Sequence, residues 1–247
     1  MKKLAHWSAR ITLVTTAIAS ALGMTGIQAF ALTEEEVLQK LAPVTVFTVT
    51  NAEGAPLVVS VPIEEGEPLE VAGAFMSQGD AEAFVARLQE ENPELNDQVQ
   101  VMPASLAEVY QLDFQFEGEA DDIDFIFIPV EEQAQTAQTL LESDQELQGV
   151  PMFVARGGEQ GGYLTIERDG EQAVPFFFEY EQVQQIANDF QAANPEQADT
   201  VEIQVVPLEG VINTLRTQDE PGLESIVLIP SREGLEYLQQ LRQQQQP

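Results

Sequence analysis

The sequence predicts an α+β fold made of two similar sheet-plus-helices lobes, an internal duplication with pseudo-twofold symmetry. Three observations carry this. First, Ala81, Phe84, Val85 and Leu88 form an apolar stripe at helical spacing that stops at Asn92-Pro93-Glu94. The same stripe returns 102 positions later as Val183, Ile186, Ala187 and Phe190, stopped by Asn194-Pro195-Glu196. Second, each stop is followed by an alternating run that ends in proline, Val99–Pro103 and Val201–Pro207. Third, the apolar run Asp124–Pro129 is answered by Ser225–Pro230 at an offset of 101, and the helical stripe Ala134, Ala137, Leu140 by Leu235, Leu238, Leu241. An offset that drifts by one is what turns of variable length produce in a repeat.

In chain order, residues 1–31 read as a cleavable signal peptide. Lys2, Lys3 and Arg10 form its basic end, Ile11–Ile27 its apolar run, and Ala29-Phe30-Ala31 its small-x-small cleavage pattern. A retained membrane anchor is the alternative, but the run is marginal for a bilayer. The first repeat spans 32–148. Thr33-Glu34-Glu35-Glu36 is a capping box opening a short helix with Val37, Leu38 and Leu41 on one face. Val44–Thr50 reads as a strand with Pro56–Pro62 as its hairpin partner, and Glu64–Pro68 as an acidic loop. Val71–Met76 is a third apolar strand leading to Ser77, the expected N-cap of the repeated helix. The strand at Val99–Met102, a helix with Leu106, Val109 and Tyr110, an acidic loop at Gln115–Asp124, the strand Phe125–Ile128 and the helix Glu131–Leu141 complete this half.

The second repeat spans 149–242. A strand at Pro151–Ala155 turns through Gly157–Gly162 into a strand at Tyr163–Arg168; Asp169-Gly170 marks a hairpin, with Ala173–Phe178 returning. Residues 243–247 form a glutamine-rich tail.

Composition excludes whole classes of function. His6 and Trp7 are the only histidine and tryptophan, and there is no cysteine. Removal of the leader leaves seven basic residues against all 42 acids, a formal charge of −35. Such a surface repels phosphate backbones and anionic headgroups, which excludes nucleic acid as a partner. Cleavage also leaves no integral membrane segment. Without histidine or cysteine there is no imidazole base, thiolate nucleophile or thiolate zinc site. Lys40, the sole lysine after the leader, sits on the first helix, a poor place for a buried Schiff base. No catalytic residue, cofactor or metal site is expected, and the chain reads as a non-enzyme. The acids Glu119, Asp121, Asp122 and Asp124 do not match a calcium loop, and Gly157–Gly162 lacks the GK[ST] ending of a phosphate loop.

The apolar run Phe176-Phe177-Phe178 is the candidate binding element, with its counterpart ending in Phe75. Neighbouring strand residues face opposite ways. If both faces of the sheet are covered, all three phenylalanines are core; if not, an aromatic side chain stands in a surface groove able to hold an extended client.

The order Pro43-Val44-Thr45-Val46-Phe47, then Phe75-Met76-Ser77, then Met102-Pro103, with Gly149-Val150-Pro151-Met152-Phe153 opening the second half, resembles a known family. It is similar to the cyanobacterial relatives of the twenty-two-kilodalton component of the chloroplast inner-envelope translocon, the Tic22-like family. The resemblance covers nearly all of the chain after the leader. It implies a two-lobed α+β protein of the periplasm, acting like a chaperone in protein translocation and outer-membrane biogenesis; the leader, which can serve either compartment, leaves the thylakoid lumen open as well. The implied partners are unfolded or translocating proteins and outer-membrane barrel-assembly proteins. It implies no catalytic residues. Two alternatives stay open: a binding module for one fixed periplasmic partner, and a carboxylate-based hydrolase with two acids in a deep cleft.

Overall fold

The computed structural model describes residues 32–62, 68–95, 98–116, 124–142, 145–168, 170–219 and 221–244. The leader, most of the two acidic loops including Glu119, Asp121 and Asp122, residue Asp169 and the end of the glutamine tail lie outside the described residues.

The first half runs α1 (Glu34–Leu41), β1 (Thr45–Asn51), β2 (Val58–Val61), β3 (Leu69–Phe75), α2 (Gln78–Glu91), β4 (Val99–Ser105), α3 (Leu106–Phe116), β5 (Asp124–Ile128) and α4 (Glu131–Leu140). The second runs β6 (Pro151–Gly157), β7 (Gly162–Tyr163), β8 (Ile166–Arg168), β9 (Glu171–Phe177), α5 (Tyr180–Ala193), β10 (Glu202–Pro207), α6 (Leu208–Thr217), β11 (Ile226–Ile229) and α7 (Arg232–Gln244). Local chemistry sets the helix ends as expected. The Thr33 hydroxyl and the Glu36 carboxylate close the capping box of α1, and Ser77 Oγ accepts the Asp80 N–H of α2. Asn92 and Asn194 end α2 and α5 alike, each side-chain amide donating to the carbonyl four residues back.

In the first sheet β4, β1 and β3 lie side by side, β2 extends along β3, and β5 joins β3 in parallel. In the second, β10, β6, β9 and β11 take the same order, with β8 along β9 and β7 on β6. The registers agree too. Phe47 faces Phe75 and Pro103; Phe153 faces Phe177 and Val205. Ala72 pairs with Phe125, and Val174 with Ile226.

The inner faces of both sheets share one central core. Val44, Val46, Ala72 and Ala74 from one sheet and Met152, Val154, Phe176 and Phe178 from the other pack with Val37 and Leu41 of α1, Leu106 and Val109 of α3, and Leu208, Ile212 and Leu215 of α6. The Arg216 guanidinium, 5.7 Å from the Tyr110 ring centre, ties α6 to α3. Each outer face has its own core: Phe47, Val49 and Phe75 under α2, and Phe153, Ala155 and Phe177 under α5.

Four sequence expectations need correction. Pro56–Pro62 is not the hairpin partner of β1: only the Thr50–Pro56 bridge and the Leu57 N–H to Val49 carbonyl bond join them, and β2 turns away to pair with β3. Tyr163–Arg168 is not one strand. It breaks at Leu164, whose N–H is held by the Ala155 carbonyl while its side chain enters the outer core. Proline does not end β4, which runs through Pro103 to Ser105 at the sheet edge.

The fourth correction concerns α4 and α7, read as closing their own halves. They cross over instead. α4 packs on β6, β10 and α5 of the second half, with Ala137 fully buried there. α7 packs on β1 of the first, the Tyr237 ring meeting Phe47 edge-on at 5.9 Å. Each exchanged helix caps its neighbour. The Gln133 carbonyl oxygen accepts the Tyr180 N–H of α5 at 2.8 Å, and a Glu233 carboxylate oxygen accepts the Gln78 N–H of α2 at 2.9 Å.

Candidate apolar groove

An open concavity lies on the inner face of the second sheet, beside the central core. It holds about 450 Å3. Val174 and Phe176 of β9, Val206 of β10 and Ile226 of β11 make its floor, and Gly210, Val211 and Thr214 of α6 one wall. The turn before β11 closes the other with Pro221 and Leu223. Gly210 sits against the Pro207 ring in the first turn of α6, where a Cβ would stand only 3.0 Å from Pro207 Cγ. Tyr163 stands at the mouth, 43% exposed. Its ring lies 6.2 Å from that of Phe176 and 5.2 Å under the Arg156 guanidinium, which is itself anchored by donating from Nε to the Gly161 carbonyl. The glycine turn identified in the sequence therefore acts as a hairpin tip that positions Arg156 and Tyr163.

Among the described lining residues no acid or base other than the Tyr163 phenol faces the groove; the remaining polar groups are the Thr214 and Ser225 hydroxyls. Those hydroxyls already donate to the Gly210 and Gly222 carbonyls. Such a lining suits aliphatic or aromatic side chains, and among the described lining residues the Tyr163 phenol has no carboxylate or imidazole beside it with which to form an acid–base pair.

Of the four predicted site residues, Phe75, Phe177 and Phe178 are about 5% exposed and belong to cores: Phe75 and Phe177 to the two outer ones, Phe178 to the central one. Helices cover both faces of the sheet there, so alternation buries all three phenylalanines of the triplet. Phe176 also meets the groove, its ring forming part of the floor at 6% exposure, and Phe178 lines a separate, smaller concavity of about 160 Å3 with Gln133 and Glu233. Sequence reasoning missed Tyr163, Val206 and Thr214. Their only available signal was an aromatic residue directly after a glycine turn.

Two charged groups lie apart from the groove. Lys40 Nζ donates to the Glu224 and Ile226 carbonyls at 2.8 Å each, pinning α1 to the second half. Burial pushes its pKa down, against the pull of Glu224 and Glu36. Glu209, at the start of α6, has its pKa raised by burial while its carboxylate accepts the Val150 N–H at 3.4 Å. It crowds Gly149, where φ is +64° and a Cβ would displace the Glu209 carboxylate.

Comparison with known proteins agrees with this architecture. The Tic22-like family model matches residues 3–243. "Protein TIC 22, chloroplastic" of Arabidopsis thaliana is 27% identical over 220 residues, covering 88% of this chain and 75% of the relative. Its counterpart in Pisum sativum is 25% identical over 205 residues, covering 82% and 75%. Among solved structures, Anabaena Tic22, described as a protein of protein transport, superimposes with a TM-score of 0.73 at 30% identity, over 85% of this chain and 97% of that one. Tic22 from Plasmodium falciparum shares the fold, with a TM-score of 0.65 at 22% identity over 85% and 99%. Among the described residues no helix is long and apolar enough to cross a membrane. The chain belongs to the Tic22-like family.

Proposed function

We propose that the protein is a periplasmic, chaperone-like factor that assists protein translocation or outer-membrane protein biogenesis. In this reading it holds apolar side chains of client or assembly-machinery segments in the groove under α6. The observation that carries it is the groove itself: an apolar floor, an aromatic residue held at the mouth, and no acid–base pair. The family match and the transport role printed for the Anabaena relative support the protein-handling part. The matching strand order and registers of the two sheets support an origin by duplication with pseudo-twofold symmetry.

The test is aggregation of an unfolding model substrate followed by light scattering. The protein in several-fold excess suppresses scattering, and Tyr163→Ser with Thr214→Arg abolishes that suppression. No suppression by the wild-type protein defeats the chaperone reading. Recovery of one stoichiometric periplasmic partner without mixed clients would then assign the groove to a fixed complex.

A further inference from the structure

The outer face of the first sheet is covered over only part of its width. α2 closes it over Phe47, Val49, Phe75 and Val99, and α7 adds Tyr237 against Phe47. Beyond them the face continues across β2, β3 and β5. Leu69, Val71, Gly73 and Phe75 alternate onto it along β3. Val61 lies opposite Leu69, Val59 opposite Val71, and Ile126 beside Gly73. Val59, Val61, Leu69 and Ile126 are 46%, 39%, 44% and 49% exposed. Exposed aliphatic residues are normal when scattered; four on one face of three adjoining strands form a patch.

We propose that this face docks a cationic amphipathic helix of a protein partner. Three strands spaced about 4.8 Å apart present a strip roughly 10 Å wide, the width of one helix. Charge selects the helix. Residues 41–149, which contain all three strands, carry 23 acids and a single base, Arg87. Asp124 stands exposed in register with Val71 at the patch itself. This field attracts a helix flanked by Lys and Arg, and it repels both a second copy of this chain and anionic lipid. The site is separate from the groove, which opens on the inner face of the other sheet, and does not depend on the function proposed for it.

The second sheet supplies the decisive variant. At the positions matching Val61 and Leu69 it has Arg168 opposite Glu171. Val61→Arg with Leu69→Glu therefore copies a pair that this fold already accepts at this register, and it leaves the net charge unchanged. The probe is a fluorescent amphipathic peptide of leucine and lysine, about five helical turns long, with a leucine–glutamate version as control. Anisotropy should show that the full chain binds the lysine peptide, that added salt weakens binding, and that the double variant loses about tenfold or more in affinity. Ile126→Gln, on a different strand, should weaken binding in the same direction; Tyr163→Ser with Thr214→Arg should leave it unchanged. Undiminished binding by both patch variants overturns the proposal. So does equal binding of the glutamate peptide, or a wild-type dimer in sedimentation that the double variant dissolves.

Discussion

The two halves share strand order and register but finish their outer faces differently. In the second, Ile166 and Ala173, the counterparts of Val59 and Val71, are 7% and 6% exposed, and the sheet ends on Arg168 opposite Glu171. In the first, the same positions leave valines and a leucine open to solvent. The exchanged helices differ in the same sense. α4 buries Gln133 and Ala137 against the second half, whereas none of the described side chains of α7 is fully buried. Charge follows suit, with one base among 23 acids in residues 41–149 against five arginines among 16 acids in residues 150–247. A common backbone thus supports one closed lobe and one open, strongly acidic lobe. The two halves agree in the register of their central strands and differ in surface and charge.

The comparison can be broken first at its centre. Phe47 and Phe153 are equivalent, 1% and 0% exposed, and each faces a phenylalanine across the sheet. Alanine at either position should cost about 3–5 kcal/mol by the transfer and cavity terms. Phe153→Ala should cost more, because the closed lobe has less room to relax. Equal losses in denaturant unfolding would show that the outer cores are equally tight.

A smaller effect tests the helix exchange. Gln133 accepts the Tyr180 N–H and also donates to Glu181, while Glu233 accepts only the Gln78 N–H among the bonds seen. Gln133→Ala should cost about 1–2 kcal/mol and Glu233→Ala about 0.5–1 kcal/mol, within the range of lost helix caps. Hydrogen exchange should locate the loss in α5 for the first variant and in α2 for the second. Loss confined to α4 or α7 themselves would mean that the caps do not couple the halves.

The smallest effect depends on pH. Burial raises the pKa of Glu209 above its ordinary 4.5, so the folded state penalises the ionised form. Its contribution to stability is greatest below pH 4.5, falls as pH rises from there through the raised value, and stays at its minimum above it. Glu209→Gln should therefore melt higher than wild type near neutral pH, with the gap closing below pH 4.5. A gap that widens on acidification would reverse the assignment.

Much of the fold was legible because its signals are local. The helix stripes, the caps at Thr33 and Ser77 and the Asn-Pro stops each act within a few residues, so spacing reveals them. Of the groove, only Phe176 was legible, as part of its triplet. Tyr163, Val206 and Thr214 come from three other elements, and nothing in the pattern around any of them marks the others. The phenylalanine triplet drew notice through its composition, yet only coverage of both sheet faces decides that Phe177 and Phe178 are core.

The sequence by itself determined the repeated order of helices and strands, the acidic surface, and the lack of histidine and cysteine after residue 31, because these follow from residue type and short spacing. Only the tertiary structure decided that α4 and α7 change places, that a groove opens beneath α6 and that one sheet leaves its outer face bare. Each depends on contacts between residues far apart in the chain. The free energy of such contacts comes from complementary surfaces meeting in space, which no local pattern records.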